Sequence, residues 1–320
     1  MKLAYALFAA ITFMLPGSAS AQAWPAKAVR IIVPYPPGGA VDAVTRKMAQ
    51  KLTEQTGQAF IVENKSGATG TIGALLAAQA APDGYTLLAN DTTYALLPHI
   101  FKKLPWDYST DLLPVTAYVF APMAVVVASE SKYKNLNDLL ADARSQANKV
   151  TYGTGGAGST PHFASEALGV ATGVNFMHIP YKGAGEATLA LLSGTIDFQI
   201  ASTPGVMGQV KGGKARLLAI SGEQRIAAQP EVPTFSEAGV KGYGVVNFTG
   251  LWAPKGTPIA VLARLAQETA KAIASSDMKA YSDSIGANPR SIGSDEFARL
   301  LADSTQYWGK IASKTAFEKH

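Results

Sequence analysis

The 320-residue sequence contains no cysteine, and this absence excludes several kinds of chemistry. Without thiols there is no disulfide framework, no cysteine-ligated zinc, no thiol nucleophile and no lipid anchor on an N-terminal cysteine. Histidine is scarce: His99, His162, His178 and His320 are the only four, and none lies at metal-ligand spacing from another. The motifs H-E-x-x-H and G-x-S-x-G are absent as well. We therefore expect no metal, no cofactor and no catalytic residue.

Long hydrophobic runs are missing from the chain after its first residues. Beyond residue 23, no segment approaches the ~20 apolar residues that a membrane helix needs. Residues 1–23 combine a basic start, a short apolar core and the small-residue sequence Ala-Ser-Ala at 19–21. They predict a signal peptide that is cleaved before Gln22 or after Ala23, because the core is too short for an uncleaved anchor. We expect an exported protein that resides in the periplasm.

A concentration of positive charge is also absent. The formal net charge is only +5, and the basic residues are scattered rather than gathered in a stripe with interleaved aromatics. The sequence therefore predicts no nucleic-acid partner, and the mild positive excess is compatible with weak steering of anionic ligands. With 48% hydrophobic and 16% charged residues, the composition is that of an ordinary soluble globule.

Strand-like and helix-like segments alternate along the chain, which predicts α/β layers with largely parallel strands. The alternation starts near residue 29 and reaches a long β run at 115–129, which we expect to be broken at Ala121 and Pro122. The alternation then begins again and reaches a second long β run at 245–253. From Pro258 onward the pattern is almost wholly helical, and this tail is expected to return to the first module.

Two α/β modules with two long β runs between them predict two lobes joined by a pair of crossing strands. We place residues 24–121 and 249–320 in the first lobe and residues 122–248 in the second. These boundaries carry an error of about 15 residues, because the ends of elements are the least certain part of such a prediction.

Two glycine loops each follow an apolar, β-branched run and precede a helical pattern. The first is Tyr-Pro-Pro-Gly-Gly at 35–39, and the second is Gly-Thr-Gly-Gly-Ala-Gly-Ser at 153–159. A strand that ends in such a turn and opens a helix directs several backbone N–H groups at one spot, where they attract an anion. Either loop alone is equally compatible with a plain strand-to-helix turn. Together they suggest two lobes that close on one small anionic molecule, with Asp42 bracing the start of the first helix.

The second loop also matches the G-x-G-x-x-G pattern of dinucleotide-binding proteins. That fingerprint requires an acidic residue about 20 positions further on, at the end of the next strand. Here the corresponding stretch is His-Ile-Pro-Tyr-Lys at 178–182, and no carboxylate precedes Glu186. Capture of an anion by backbone amides is therefore the better interpretation.

Hydroxyl side chains recur just past the predicted strand ends, where α/β lobes expose their ligand contacts. Each one taken singly is more typical of a turn or a helix cap, and only their common position beyond strand ends points to a ligand. His162 lies on the first turn after the second loop, so it either faces the cleft or packs as an ordinary histidine. The full predicted ligand-binding set is Tyr35, Pro37, Gly38, Gly39, Thr69, Thr92, Thr93, Thr154, Gly155, Gly156, Ser159, Thr160, His162, Tyr181, Ser202 and Thr203.

Several long motifs occur in an order that resembles the solute receptors of tripartite tricarboxylate transporters, also called the Bug family. They lie at residues 24–39, 62–70, 82–86, 179–183, 213–216, 231–239 and 252–258. The resemblance covers essentially the whole mature chain and implies a type II periplasmic binding fold, a two-lobed Venus flytrap. It also implies capture of a small carboxylate between residues 35–39 and 154–160, largely by backbone amides and ordered water.

The expected function is therefore a monomeric periplasmic receptor that binds an organic acid and docks transiently on a two-component membrane permease. Tyr35 and Tyr181 are expected to wall the apolar body of the ligand, and residues 90–94 and 202–206 to set selectivity. The chain departs from the family pattern at Glu186 and at residues 202–205, which bears on the identity of the acid. An exported hydrolase and a sensor subunit that presents a ligand to a signalling partner are the alternatives.

Overall fold

The computed structural model describes residues 24–145, 149–315 and 317–320. The predicted signal peptide, residues 1–23, lies outside these described residues. Within the described ranges, no helix combines the length and the apolar character that crossing a membrane would require.

Three parallel strands start the larger sheet, with the first strand in the middle. They are β1 (Val29–Val33), β2 (Phe60–Asn64) and β3 (Thr86–Asp91). β1 is apolar at every position except Arg30, and those apolar residues are buried, as in a parallel strand that is covered on both faces. Each strand is followed by a helix: α1 (Ala40–Thr56), α2 (Thr71–Ala78) after a short 3₁₀ turn, and α3 (Thr93–Ile100). The carboxyl ends of the three strands therefore share one edge of the lobe.

Three antiparallel strands complete this sheet in the order β10-β4-β9-β3-β1-β2. They are β4 (Leu112–Ala128), β9 (Val246–Pro254) and β10 (Asn288–Ile292). β4 and β9 correspond to the two long β runs expected at 115–129 and 245–253. β9 pairs with β4 along its whole length and with β3 over residues 249–252, so the return crossing lies in the chain just before Val246.

β4 belongs to both halves of the molecule, because it changes partners along its length. Residues 112–122 pair with β9, and residues 123–128 pair with β7 (Gln199–Ser202) and β8 (Ala215–Ile220). The predicted break at Pro122 is wrong, since the strand continues through this residue. Pro122 is the last position of the β9 ladder, where a missing N–H disrupts little. The exchange lies beside the boundary expected at residue 121, and the lobe limits themselves stay a prediction.

The second half repeats the strand-helix order around the far end of β4. β5 (Thr151–Thr154) pairs in parallel with β6 (Met177–Pro180), and a bridge between Tyr152 and Phe198 connects β5 to the chain that enters β7. The surrounding helices are α4 (Leu136–Ser145), α5 (Thr160–Thr172), α6 (Ala184–Leu192) and α7 (Thr203–Lys211). β5, β6 and β7 are each followed by a helix, so their carboxyl ends also share one edge.

The C-terminal segment packs on the first lobe. It comprises α8 (Ile259–Ala274), α9 (Ser276–Ser284), β10 and α10 (Ser294–Ala312). α8 packs against α1 and β4, and α10 packs against α3 and β4 and touches α5. The expectation of an almost wholly helical tail missed β10. This strand is short, carries Pro289 and is buried only at Ile292, which is typical of an edge strand and leaves little periodicity to detect.

Candidate functional site

A cavity of about 490 Å³ lies where the carboxyl ends of the two sets of parallel strands meet. The first lobe lines it with the loops that follow β1, β2 and β3, and the second lobe lines it with the loops that follow β5, β6 and β7. Ligands of open α/β sheets bind at this edge, and cavities of this volume hold small molecules. We call this space the interlobe cavity.

Four helices begin at the wall of the interlobe cavity. Their N-cap residues are Gly39 for α1, Ser159 for α5, Gly183 for α6 and Ser202 for α7, and all four line it. Gly39 and Gly183 have no side chain that could cap a helix, and neither Ser159 nor Ser202 accepts a capping hydrogen bond from its own helix. First-turn amides have no acceptor within the helix, and the helix dipole places partial positive charge there. The arrangement is therefore suited to an anion.

The first glycine loop is held by charged and amide side chains. Gly38 has φ +86°, and its N–H donates to Asp42 Oδ2 at 3.0 Å. Asp42 also accepts hydrogen bonds from Arg46 Nε at 3.0 Å and from Asn64 Nδ2 at 2.8 Å. Burial alone would raise the pKa of Asp42, but the hydrogen bonds from Arg46, Gly38 and Asn64 outweigh it and lower that pKa. Asp42 braces the helix start, as the sequence predicted.

The second glycine loop is held by two imidazole rings. Gly158 N–H donates to His162 Nδ1 at 3.1 Å, and Thr154 Oγ1 lies 2.7 Å from His178 Nε2. The two rings stack with their centroids 4.0 Å apart. Burial, together with the neighbouring His178, lowers the pKa of His162 to about 3, and burial lowers the pKa of His178 to about 4. Both rings are therefore neutral at neutral pH.

A buried polar cluster closes the first-lobe side of the interlobe cavity. Tyr35 Oη donates to Asn90 Oδ1 at 2.6 Å and lies 3.0 Å from Asp91 Oδ1. Thr93 N–H donates to the same Asp91 oxygen at 3.0 Å. Burial, reinforced by the charge of Asp91, raises the pKa of Tyr35 well above its ordinary value, so Tyr35 remains a hydrogen-bond donor.

The lobes contact each other around the cavity. Thr93 Oγ1 of the first lobe lies 2.9 Å from Thr160 Oγ1 of the second, and Thr160 N–H donates to Thr93 Oγ1. Thr69 Oγ1 donates to the Ala157 carbonyl at 2.9 Å. A Cβ on Gly183 would lie 2.9 Å from Cγ of Pro36, so the backbone of one lobe approaches a side chain of the other closely. This is a closed arrangement of the two lobes.

The structure gathers ten of the sixteen residues of the predicted set around the cavity. They are Tyr35, Pro37, Gly39, Thr69, Thr93, Gly155, Gly156, Ser159, Tyr181 and Ser202. Their contact with a ligand stays a prediction.

The other six residues of the set do not line the cavity, and most of them support it instead. Gly38 N–H and the His162 ring are engaged by Asp42 and Gly158. Thr154 lies beneath the second loop, and Thr160 makes the contact between the lobes. The remaining two, Thr92 and Thr203, bond the backbone of Phe248 and of Gly286 respectively.

Several lining residues fall outside the predicted set. They are mainly residues 66–68 after β2, Asp91 at the end of β3, residues 182–185 at the start of α6, and Thr188 and Gln199. The signal that could have found most of them is position, because they follow the carboxyl ends of parallel strands. Lys182 is the one lysine or arginine among the described lining residues, and its side chain is exposed. Among the residues that the structure describes, no cluster of three or more His, Asp or Glu is placed to hold a metal ion.

Two α/β lobes that close on a cavity ringed by helix N-termini define a solute-binding protein of the type II periplasmic class. The profile of the "Tripartite tricarboxylate transporter family receptor" matches residues 44–317. The chain belongs to this family. Receptors of the family are periplasmic, and they bind substrates rather than transform them, so the prediction that the chain is not an enzyme is confirmed.

Sequence similarity to two related proteins extends over nearly the whole chain and supports the assignment to this family. The protein BugT of Bordetella pertussis is 31% identical over 298 residues, covering 92% of this chain and 91% of its own. A UPF0065 protein of Cupriavidus necator is 34% identical over 310 residues, covering 95% of this chain and 92% of its own.

Solved structures agree in fold and include ligand complexes. The periplasmic binding protein BugD superposes with a TM-score of 0.87 at 29% identity, covering 93% of this chain and 100% of its own. A Rhodopseudomonas palustris protein, Rpa4515, solved with adipate, gives a TM-score of 0.87 at 29% identity and covers 91% of this chain and 97% of its own. MatC from the same organism, with bound malate, gives 0.84 at 27% identity and covers 90% of this chain and 100% of its own. The predicted fold class is confirmed.

Proposed function

We propose that this protein is an exported, monomeric receptor that captures a small carboxylate in the interlobe cavity and delivers it to a two-component membrane permease. The observation that carries the proposal is the convergence of four helix N-termini, without side-chain caps, on one cavity of about 490 Å³. Relatives solved with adipate and with malate support a carboxylate as the ligand class.

The ligand carboxylate binds between Gly39 on α1 and Ser159 on α5. Gly38 N–H is engaged by Asp42, so the first loop offers the amides at and after Gly39 instead. The apolar body of the ligand rests against the prolines of the first loop and against Tyr181, which also line the cavity. Backbone amides recognise any carboxylate, so they supply affinity without selecting one acid.

Closure follows from contacts that exist only when the lobes meet. The Thr93–Thr160 pair and the Thr69–Ala157 hydrogen bond join opposite walls of the cavity. A ligand that bonds both walls has extra affinity for the closed state and shifts the population toward it. The closed form is then the one that the permease recognises.

A thermal-shift screen of residues 24–320 against a panel of organic acids tests the capture step. A ligand present at about 100 times its Kd adds about 2.7 kcal/mol to the free energy of unfolding. A clear increase in Tm with one or more acids is expected. No shift with any acid, on protein that is free of co-purified ligand, would contradict the proposal.

The variant Gly39→Val tests the location of the site. Gly39 has φ −80°, ψ 172°, and a Cβ there would meet nothing closer than the Pro36 carbonyl at 4.0 Å, so valine fits the fold while its side chain fills the cavity wall. We expect affinity to fall by at least about 100-fold, since several charge-assisted hydrogen bonds are lost. Gly293→Val is the matched control, because Gly293 is the N-cap of α10 with φ −78°, ψ 178° and lies in open space. Equal affinity in both variants would remove the first loop from the site.

The delivery step is tested by uptake of the identified acid into cells. Uptake should require both the receptor and the permease and should fail with the Gly39→Val receptor. Uptake that continues without the receptor would contradict delivery while leaving capture intact.

A further inference from the structure

Asp91 is a buried carboxylate in the wall of the interlobe cavity. It ends β3 and is 9% exposed. Its Oδ1 accepts a hydrogen bond from Thr93 N–H at 3.0 Å and lies 3.0 Å from Tyr35 Oη, which donates to Asn90 Oδ1. Asn247 also hydrogen-bonds its side chain. Burial raises the pKa of the Asp91 carboxyl, and the hydrogen bonds from Thr93 and Asn247 partly offset that rise because they stabilise the ionised form.

Asp91 has no cationic partner in the protein. Asp42, the other carboxylate that lines the cavity, has Arg46 Nη2 at 2.9 Å. No lysine, arginine or histidine nitrogen of the described residues lies within 4.0 Å of Asp91. Buried charges in proteins are normally paired, because an unpaired one costs several kcal/mol. When Asp91 is ionised, it gives the cavity a negative charge that no lysine, arginine or histidine of the described residues pairs with, and a cation on the ligand would stabilise that ionised form.

The helix N-termini at the wall of the same cavity carry partial positive charge, opposite in sign to an ionised Asp91. The network from Asp91 through Thr93 reaches Thr160 at the start of α5, and Tyr35, which holds Asp91, opens the loop that leads to α1. The cavity is thus bipolar, with amide donors for a carboxylate and an acceptor side chain close by. A ligand with a second carboxylate directed at Asp91 would be repelled.

We propose that the ligand of this receptor carries a positively charged nitrogen as well as a carboxylate, and that Asp91 selects for that nitrogen. The inference rests on the proposed capture function and narrows its ligand class to zwitterionic acids, such as amino acids or betaines. The nitrogen pairs with the Asp91 carboxylate, while the ligand carboxylate binds the first-turn amides of α1, facing the N-terminus of α5, where Thr160 N–H is already engaged by Thr93. Asp91 acts here as a specificity-determining residue, and the hydrogen bond from Thr93 N–H and the contact with Tyr35 Oη hold it in place.

Calorimetric titration with matched ligand pairs tests the proposal. The probes are aspartate against succinate, 4-aminobutyrate against 4-hydroxybutyrate, and glycine betaine against 3,3-dimethylbutyrate, supplemented by every acid that shifts the Tm. For each pair in which binding is detected, we expect the wild-type protein to bind the nitrogen-bearing member at least about tenfold more tightly than the nitrogen-free member. This ratio corresponds to the free energy of a hydrogen bond to a charged group. In Asp91→Asn, which keeps the shape of the side chain, this preference should fall to about threefold or less because the charge is gone.

Two controls keep the result interpretable. Asp303→Asn makes the same chemical change at an exposed position on α10, outside the cavity, and should leave the preference unchanged. The Tm of ligand-free Asp91→Asn shows whether the variant is folded, and an increase in that Tm is expected because an unpaired buried charge has been removed.

The possible failures are distinguishable. If a nitrogen-free acid binds the wild type as tightly as its nitrogen-bearing partner, or if Asp91→Asn retains the full preference, the selection by Asp91 is wrong and carboxylate capture stands. If no carboxylate of either kind binds the wild type, both proposals fail. Uptake of a proton on binding succinate, detected as a dependence of the heat on the buffer, would also overturn the inference, because it would show that Asp91 binds dicarboxylates in its protonated form.

Discussion

The two glycine loops contribute the same kind of helix N-terminus to one cavity, but the side chains that hold them differ. The loop at residues 35–39 is braced by Asp42, which is paired with Arg46 and bonded to Asn64. The loop at residues 153–159 is braced by two stacked, neutral imidazoles. Neither brace adds net positive charge next to the ligand, so attraction of an anion is left to the backbone amides. The two lobes should therefore bind an anion alike and respond differently to pH and to mutation.

Acidification is expected to have the largest effect, and to act on the second loop. The pKa values of His162 and His178 in the folded protein, about 3 and about 4, lie below the value of about 6.5 in the unfolded chain. Their stabilisation is therefore complete above about pH 6.5 and is lost as the pH falls toward the folded values, by up to about 1.4 kcal/mol per pH unit for each ring. Asp42, whose pKa is also lowered, keeps its stabilisation down to about pH 4 and loses it only as the pH falls further.

Thermal unfolding between pH 4 and pH 7 checks this difference. The wild type should lose stability over that range, while a His162→Gln/His178→Gln double variant, less stable at pH 7, should show a flatter profile. Parallel curves for the two proteins would show that the imidazole pair does not cause the acid sensitivity.

Removal of the charged brace should have the next largest effect. In Asp42→Ala, the Gly38 N–H and the Arg46 and Asn64 side chains lose their acceptor. We expect the free energy of unfolding to fall by about 2–3 kcal/mol. This is less than the cost of breaking a fully buried ion pair, because Arg46 is half exposed. Urea denaturation measures it.

The matched change on the second loop is Ser159→Ala, which removes the hydrogen bond from Ser159 Oγ to the Gly156 carbonyl at 2.7 Å. A neutral bond of this kind is worth about 1 kcal/mol. If both variants lost the same stability, the ionic contacts of Asp42 would stabilise the first loop no more than one neutral hydrogen bond stabilises the second.

The smallest expected effect is on closure. Thr93→Val keeps the branched shape of the side chain but removes the hydroxyl that meets Thr160 across the cavity. Ligand affinity should fall about fivefold, equivalent to about 1 kcal/mol, through loss of the closed state. Thr188→Val is the control, since Thr188 also lines the cavity but bonds Ala184 and Gln199 within its own lobe. Scattering measurements should show a more open ligand-free Thr93→Val protein, and an unchanged distribution would count against this role.

The pattern of neighbouring residues was enough to predict the two glycine loops and the alternation of strands and helices. The run Val-Arg-Ile-Ile-Val ends directly before the prolines and glycines of residues 35–39, so the strand, the turn and the helix start can all be predicted from neighbouring residues. The second loop was predicted in the same way. Hydrophobic periodicity and glycine position are short-range properties, which is why these parts of the prediction succeeded.

Contacts between distant residues escaped the same reasoning. Gly38 was expected to offer its amide to the ligand, but that amide is engaged by Asp42. The position of His162 behind the second loop depends on stacking with His178, sixteen residues away. β10 depends on pairing with β4, and residues 182–185 reach the cavity only because α6 begins beside Pro36 of the other lobe.

The sequence by itself determined the family, the alternation of strands and helices, and the two loops that present backbone amides, because each is encoded in residues that are neighbours along the chain. Only the tertiary structure decided which amides remain free, which carboxylate faces the cavity and which is neutralised. Those outcomes depend on pairs such as Asp91 with Tyr35, 56 residues apart, and on the meeting of two lobes. Burial and charge pairing are properties of the assembled fold, since both depend on distance in space rather than on order along the chain.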